Sequence, residues 1–271
     1  MQIQARGLTF DVHTGGPAEG APVLLLHGFP QDHREFDLIL PRLHAAGLRT
    51  YALDQRGYSP GARPAAVADY RLTEPTADAV AVLDALGVAQ AHVIGHDWGA
   101  QVAWLLAAQH PERVSTLTAV SVPHPRGLGV ALRNQPSQKL RFAYMGVFRS
   151  RIAERLLLAS NGTALRQLMR PIGSRAGLYA TAMREPGRLT GALNWYRALN
   201  RGQLGGVGKV TVPTTYVWSD GDGVVGKPAA LATATWVEAD YRFVTLRGIG
   251  HWVPEEAPRA LADVALARIG V

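Results

Sequence analysis

Five consecutive residues constrain this chain more than any other stretch: Gly95-His96-Asp97-Trp98-Gly99. They stand between an apolar run, Ala91-His92-Val93-Ile94, and a helix-like stretch over 100–109, so the order reads strand, sharp turn, helix. Glycines on either side of the central residue allow a tight turn and close packing of the helix, while the central side chain is thrust above the sheet edge. In such an elbow a hydroxyl would need a base to ionise it. An aspartate does not, because a carboxylate is already charged at neutral pH and can attack carbon directly. An aspartate between glycines is ordinarily a turn residue; the strand and helix that flank it here make Asp97 a candidate nucleophile.

The rest of the chain supplies the sheet that such an elbow needs. Runs over 8–13, 23–27, 49–54, 91–95 and 114–121 read as strands, and 36–46, 73–86 (opened by a threonine cap and ended by Gly87) and 98–109 as helices. This alternation predicts an α/β fold with a mostly parallel central sheet and helices on both faces. It stops at Pro123-His124-Pro125. From 126 to 208 helical periodicity runs without strands (138–148, 151–159, 163–169, 177–183, 189–199), then alternation resumes with a strand over 214–219, a helix near 229–235, a strand over 242–246 and a helix over 257–269. The expected organisation is therefore a core of 1–125 and 209–271 with an inserted helical lid, or cap, over 126–208.

Charge marks the same segment. Fourteen of the 28 Lys and Arg residues lie in 126–208, with only Glu154 and Glu185 of the 21 acidic residues. A solvated basic helix face is the first reading; guidance of anionic substrates or membranes is the second, and nucleic-acid binding is disfavoured because no recognisable motif accompanies the charge. Without a run of about 18 apolar residues or a signal-like amino terminus, the expected location is the cytoplasm, with no stable membrane insertion. Zero cysteines exclude disulfides, thiol nucleophiles and thiolate metal sites.

Two loops offer partners for Asp97. His251, in Gly250-His251-Trp252 after the last strand, is placed to act as general base over the carboxyl ends of the sheet. Asp222, in Asp220-Gly221-Asp222-Gly223, would hold the imidazole in one tautomer and stabilise its cation; Asp220 competes for that role. The order nucleophile, acid, histidine is that of the α/β hydrolases. In His27-Gly28-Phe29-Pro30, again after a strand, the Phe29 amide pairs with that of Trp98 as a candidate oxyanion hole. His96 is expected to orient the elbow, and Asp54 and Arg56 to fix a loop.

His27-Gly28-Phe29-Pro30, Gly95-His96-Asp97-Trp98-Gly99 and Gly250-His251-Trp252 together resemble the α/β-hydrolase-fold epoxide hydrolases over nearly the whole chain. Haloalkane dehalogenases share the aspartate elbow and the histidine, so the lid has to discriminate. Epoxide hydrolases of this kind carry two lid tyrosines that point at the epoxide oxygen, one in Tyr-x-x-x-Phe and one in Asn-Trp-Tyr-Arg. The chain has Tyr144-Met145-Gly146-Val147-Phe148 and Asn194-Trp195-Tyr196-Arg197. The resemblance implies that Tyr144 and Tyr196 bind the epoxide oxygen with Phe29 and Trp98 lining the site, that Asp97 forms a covalent ester, and that His251 with Asp222 activates water to release a vicinal diol. It implies no metal or organic cofactor, a small-molecule epoxide and water as partners, and a monomer or homodimer. A dehalogenase would need a halide cradle from Trp98 and a second N–H donor, where Phe29 stands in place of the usual Asn. Gly146 and Arg149 depart from the family pattern, which bears on substrate range. A non-catalytic ligand receptor on the same fold is a third reading.

Overall fold

The computed structural model describes residues 1–200, 202 and 206–271. Eight strands, β1 (Gln2–Ala5), β2 (Leu8–Gly15), β3 (Ala21–Leu26), β4 (Leu48–Leu53), β5 (Ala91–His96), β6 (Val114–Val120), β7 (Thr214–Ser219) and β8 (Tyr241–Leu246), form one sheet in the order β1-β2-β4-β3-β5-β6-β7-β8. The β1–β2 and β2–β4 pairings are antiparallel. All later pairings are parallel. The central strand β3 reads as an unbroken apolar run because both of its faces are covered: Val23, Leu24, Leu25 and Leu26 have no exposed surface.

The side chains of β3 divide between two cores. Leu24 and Leu26 pack with α2 (Thr73–Ala85) and α3 (Trp98–Gln109) on one face of the sheet. Val23 and Leu25 pack on the other face with α1 (Leu40–Ala45) and the C-terminal helix Pro258–Ile269. Burial of this double-sided kind holds the carboxyl ends of β3, β5 and β7 rigid, and those ends carry the loops of interest.

Several boundaries differ from the sequence expectation. The helix expected over 36–46 is a short 3₁₀ turn, His33–Phe36, followed by α1. Thr73 lies inside α2 rather than capping it; Leu72 holds the cap position and makes no side-chain cap hydrogen bond. Strand β1 was not expected: Gln2–Ala5 is too short to show a period, although its Ile3 and Ala5 point into the core. The prolines that end the strand pattern start a helix instead, α4 (Pro125–Asn134), since proline at the first helical position lacks only an N–H that would go unpaired.

Between β6 and β7 lie the helices α4, α5 (Pro136–Arg141), α6 (Tyr144–Arg149), α7 (Ala153–Leu168), α8 (Arg175–Ala182) and α9 (Arg188–Ala198), while residues 206–213 are non-helical and Val210 bridges to Val237. The single helix expected over 138–148 is split into α5 and α6. The break expected between 159 and 163 is present as a kink in α7, where Ala159, Ser160, Asn161 and Gly162 leave helical geometry. Of the expected lid range 126–208, residues 201 and 203–205 lie outside the described residues.

The arginines of this segment are not simply a solvated face. Arg188 pairs with Asp32 at 2.6 Å, Arg175 with Glu255 at 3.0 Å and Arg197 with Glu154 at 2.8 Å. Arg126 sits 4.0 Å over the Trp236 ring. Arg188 and Arg175 thus join the helices to acidic residues of the core, while Arg197 ties α9 to α7 within the segment, which composition alone could not distinguish from solvation.

Candidate active site

The elbow is under backbone strain. Asp97 takes φ 51° and ψ −116°, a left-handed conformation that a non-glycine residue holds only when its surroundings enforce it. Helix α3 begins at the next residue, so its amino-terminal end lies under the carboxylate. Gly99 is required by contact: a Cβ there would stand 1.9 Å from the carbonyl oxygen of Leu26. Gly28 is required likewise, since its Cβ would lie 2.4 Å from that of Asp97, and this proximity lets the Phe29 N–H donate to Asp97 Oδ1 at 2.9 Å.

The second carboxylate oxygen, Oδ2, faces His251 Nε2 at 3.4 Å, and His251 Nδ1 bonds Asp222 Oδ2 at 2.9 Å. Asp222 Oδ1 accepts the N–H groups of Val224 at 2.6 Å and Val225 at 3.0 Å, which fixes the carboxylate plane. Asp220, the competitor, is exposed and receives the Gly248 N–H at 2.7 Å; it braces the loop without reaching the imidazole. All three members of the set, Asp97, Asp222 and His251, are buried.

Burial works against charge at both ends of the Asp97–His251 pair and is outweighed. Desolvation would raise the Asp97 carboxyl, but the hydrogen bond and charge of His251, with smaller help from His96 and the Phe29 amide, hold it below the ordinary carboxylate range. Desolvation would lower His251, but the charge and hydrogen bond of Asp222, and then those of Asp97, push it up to about 10. The resting site is therefore a carboxylate, imidazolium, carboxylate row.

Further residues, most of them without a sequence motif, hold this row in place. The His251 carbonyl accepts from His96 Nε2 at 2.9 Å and Ser121 Oγ at 2.8 Å. Glu256 receives the N–H groups of Gly250 and Trp252, on either side of His251, at 3.0 Å each. His96 Nδ1 in turn meets Glu35 Oε2 at 3.2 Å. Burial lowers His96 to about 4 and raises Glu35 well above the carboxylate range. Both are then neutral: His96 donates from Nε2, and the proton between the two residues belongs to Glu35. His96, expected to orient the elbow, bonds the His251 backbone and Glu35. From the helical segment, Gln138 donates to the Val224 carbonyl at 2.8 Å and accepts the Gly226 N–H at 2.9 Å, while Arg141 donates to the Asp222 carbonyl at 2.7 Å. Arg56 forms a buried two-bond pair with Asp78, at 2.7 Å for each bond, and Asp54 lines neither cavity at Asp97.

Tyr144 on α6 and Tyr196 on α9 come together above the elbow, ring centroids 6.3 Å apart. Tyr196 packs edge-on against Trp98 and Phe29, at 5.0 and 5.3 Å. Desolvation first, and the Asp97 charge among the further causes, raises both phenols above their ordinary range, so they remain neutral donors. Arg149 braces the end of α9 through the carbonyls of Tyr196 at 2.7 Å and Leu199 at 2.6 Å. Gly146 faces open space, so nothing in the fold demands a glycine there.

Two cavities meet at Asp97, Tyr144 and Tyr196. One, of about 40 Å³, is lined mainly by apolar side chains including Leu128, Phe142 and Met145. The other, of about 430 Å³, is bounded by Phe29, Arg141, Phe148, Leu168, His251 and Trp252.

A carboxylate on a strained elbow, a histidine backed by an acid, and an amide donor at the carboxyl ends of a mostly parallel sheet have the arrangement of a hydrolase site of a known class. Residues 21–258 match the family model for the alpha/beta hydrolase fold, and the chain belongs to that family. It is 33% identical to Epoxide hydrolase A of Mycobacterium tuberculosis, over 91% of this chain and 89% of that protein. It is 30% identical to the AB hydrolase superfamily protein YfhM of Bacillus subtilis, over 97% of this chain and 95% of the other. Among solved structures, Epoxide Hydrolase A from Mycobacterium thermoresistibile superposes with a TM-score of 0.88 at 26% identity, covering 100% of this chain and 97% of that one. Among the described residues no helix is long and apolar enough to cross a membrane.

Proposed function

We propose that this chain is an epoxide hydrolase that opens its substrate through a covalent ester on Asp97. The observation that carries the reading is the pair of neutral phenols, Tyr144 and Tyr196, lining the same cavities as the carboxylate. Relatives that bear the epoxide hydrolase name support it.

In the first step Asp97 Oδ2, the oxygen that carries no amide bond, attacks the less hindered epoxide carbon. The carbon–oxygen bond breaks, and the developing alkoxide takes a proton from Tyr144 or Tyr196. The ester removes one of the two charges that hold His251 protonated. Its pKa falls, its proton restores the phenol, and a neutral base is left beside the ester. His251 then takes a proton from water as hydroxide adds to Cγ of Asp97, and Oδ1, already held by the Phe29 N–H, receives the oxyanion with the Trp98 amide as second donor. Collapse releases the diol and returns Asp97 as carboxylate and His251 as imidazolium. No cofactor enters this sequence.

The cavities suggest the shape of the substrate. The pocket of about 40 Å³ is the narrower of the two and is lined mainly by apolar side chains. One side of the epoxide is thus short and apolar, and the longer substituent lies in the larger cavity.

The test is a panel of epoxides and haloalkanes assayed side by side with the wild type and His251→Ala. Diol formation from epoxides, with an Asp97 adduct accumulating in His251→Ala by intact mass, is expected. Halide release without diol formation would assign the site to dehalogenation, and normal turnover by His251→Ala would remove the base from the scheme.

A further inference from the structure

A second cluster of ligating side chains lies outside the hydrolase site. His13 on β2, His33 in the 3₁₀ turn after the His27-Gly28-Phe29-Pro30 loop, and Asp54 at the end of β4 each present one donor atom, all within 4.8 Å of one another. Asp54 is 6% exposed, and its Oδ1 receives the His33 backbone N–H at 3.0 Å. His33 Nδ1 stands 2.9 Å from that oxygen, and His13 Nε2 lies 3.6 Å from Oδ2. The two imidazoles stack with centroids 3.3 Å apart and planes 10° from parallel. None of the three is used in the ring-opening or ester-hydrolysis steps.

We propose that His13, His33 and Asp54 form a binding site for a divalent metal of the zinc class. Two imidazoles and one carboxylate are a donor set for zinc and its neighbours; magnesium and calcium take mainly oxygen ligands. A tetrahedral ion with bonds of about 2.0–2.2 Å holds its ligand atoms about 3.3–3.6 Å apart; the donor atoms already lie within 4.8 Å of one another, and the stacked imidazoles have to turn their nitrogens toward a common point to close on the ion. The Asp54 carboxylate is preorganised by the His33 backbone N–H, which stays bonded when a metal arrives. His33 then changes tautomer, presenting its Nδ1 lone pair to the metal and carrying its proton on Nε2.

His27 is not a further ligand, although its Nε2 is 4.0 Å from Asp54 Oδ1. That nitrogen accepts the Gln55 N–H at 3.1 Å, and Nδ1 donates to the Gly28 carbonyl at 3.0 Å. The three ligands line a cavity of about 300 Å³ with room for water, together with Met1, Asp11, Glu185 and Arg188, and the Arg188 guanidinium is neutralised by its pairs with Asp32 and Glu185. A metal here would clasp β2, β4 and the turn that follows the oxyanion loop.

Zinc ions alone, titrated into the metal-free full chain by calorimetry, test the site. One equivalent is expected to bind saturably and to raise the melting temperature, and magnesium to do neither. His13→Ala, at an exposed position, and His33→Gln are each expected to weaken binding at least about tenfold while the metal-free melting temperature of His13→Ala stays near wild type. X-ray absorption of the one-to-one complex should show two imidazoles and light oxygen ligands. Absence of saturable binding, unchanged affinity in both variants, or a spectrum without two imidazoles would overturn the assignment. None of these results depends on epoxide turnover.

Discussion

Replacing Asp97 by Asn tests the link between ester formation and base activation, because the amide mimics the neutral ester in charge and nearly in shape. In the wild type His251 Nε2 lies 3.4 Å from Asp97 Oδ2 and its pKa stands at about 10. At an effective dielectric constant near 20, unit charges at that separation interact by about 5 kcal/mol, equivalent to about 3.5 pKa units. Spreading each charge over two oxygens or two ring nitrogens reduces this to about 2–3 units. The Asp222 contact at 2.9 Å remains in the variant, so His251 should titrate at about 7–8 rather than about 10. The sign follows from the charge: losing a carboxylate disfavours the imidazolium. Proton–nitrogen NMR of histidine-labelled protein reads the titration directly, with intact mass confirming that the amide persists. A His251 pKa within about half a unit of wild type would refute the argument that alkylation frees the base.

Three further perturbations address other parts of the site. Tyr144→Phe and Tyr196→Phe should each lower single-turnover ring opening by about 10²–10³, the loss typical of one oxyanion donor, while unchanged rates would detach the phenols from the chemistry. Gln138→Leu leaves the Val224 carbonyl and the Gly226 N–H without their partner; denaturant unfolding should report a loss of about 1–3 kcal/mol, and wild-type stability would show that the clamp is idle. Gly99→Ala puts a methyl 1.9 Å from the Leu26 carbonyl, so the soluble folded protein should not accumulate; a wild-type melting temperature would contradict the close-packing account of the elbow.

Much of this site is written in short local patterns. The elbow locates β5, Asp97 and α3 together, because one sequence motif encodes the turn, the strain and the packing. Strand β7 and the following Asp222 loop are legible for the same reason: an apolar run ends abruptly at turn residues. What is not legible depends on contact across the chain. Glu35 has no motif, and its neutral state arises only because folding buries it against His96, 61 positions away. Gln138 and Arg141 look like ordinary polar helix residues until α5 sets them on the Asp222 loop. Arg149, a departure from the family pattern, acquires its place only from the α9 carbonyls it binds.

The central claim is that the oxygen added to the epoxide comes from Asp97 and not directly from water. A single turnover with enzyme in excess, run in heavy-oxygen water, measures this by mass spectrometry of diol and protein. The account predicts an unlabelled first diol and a heavy oxygen retained on Asp97. Label in the diol on that first turnover, with none on Asp97, would contradict it.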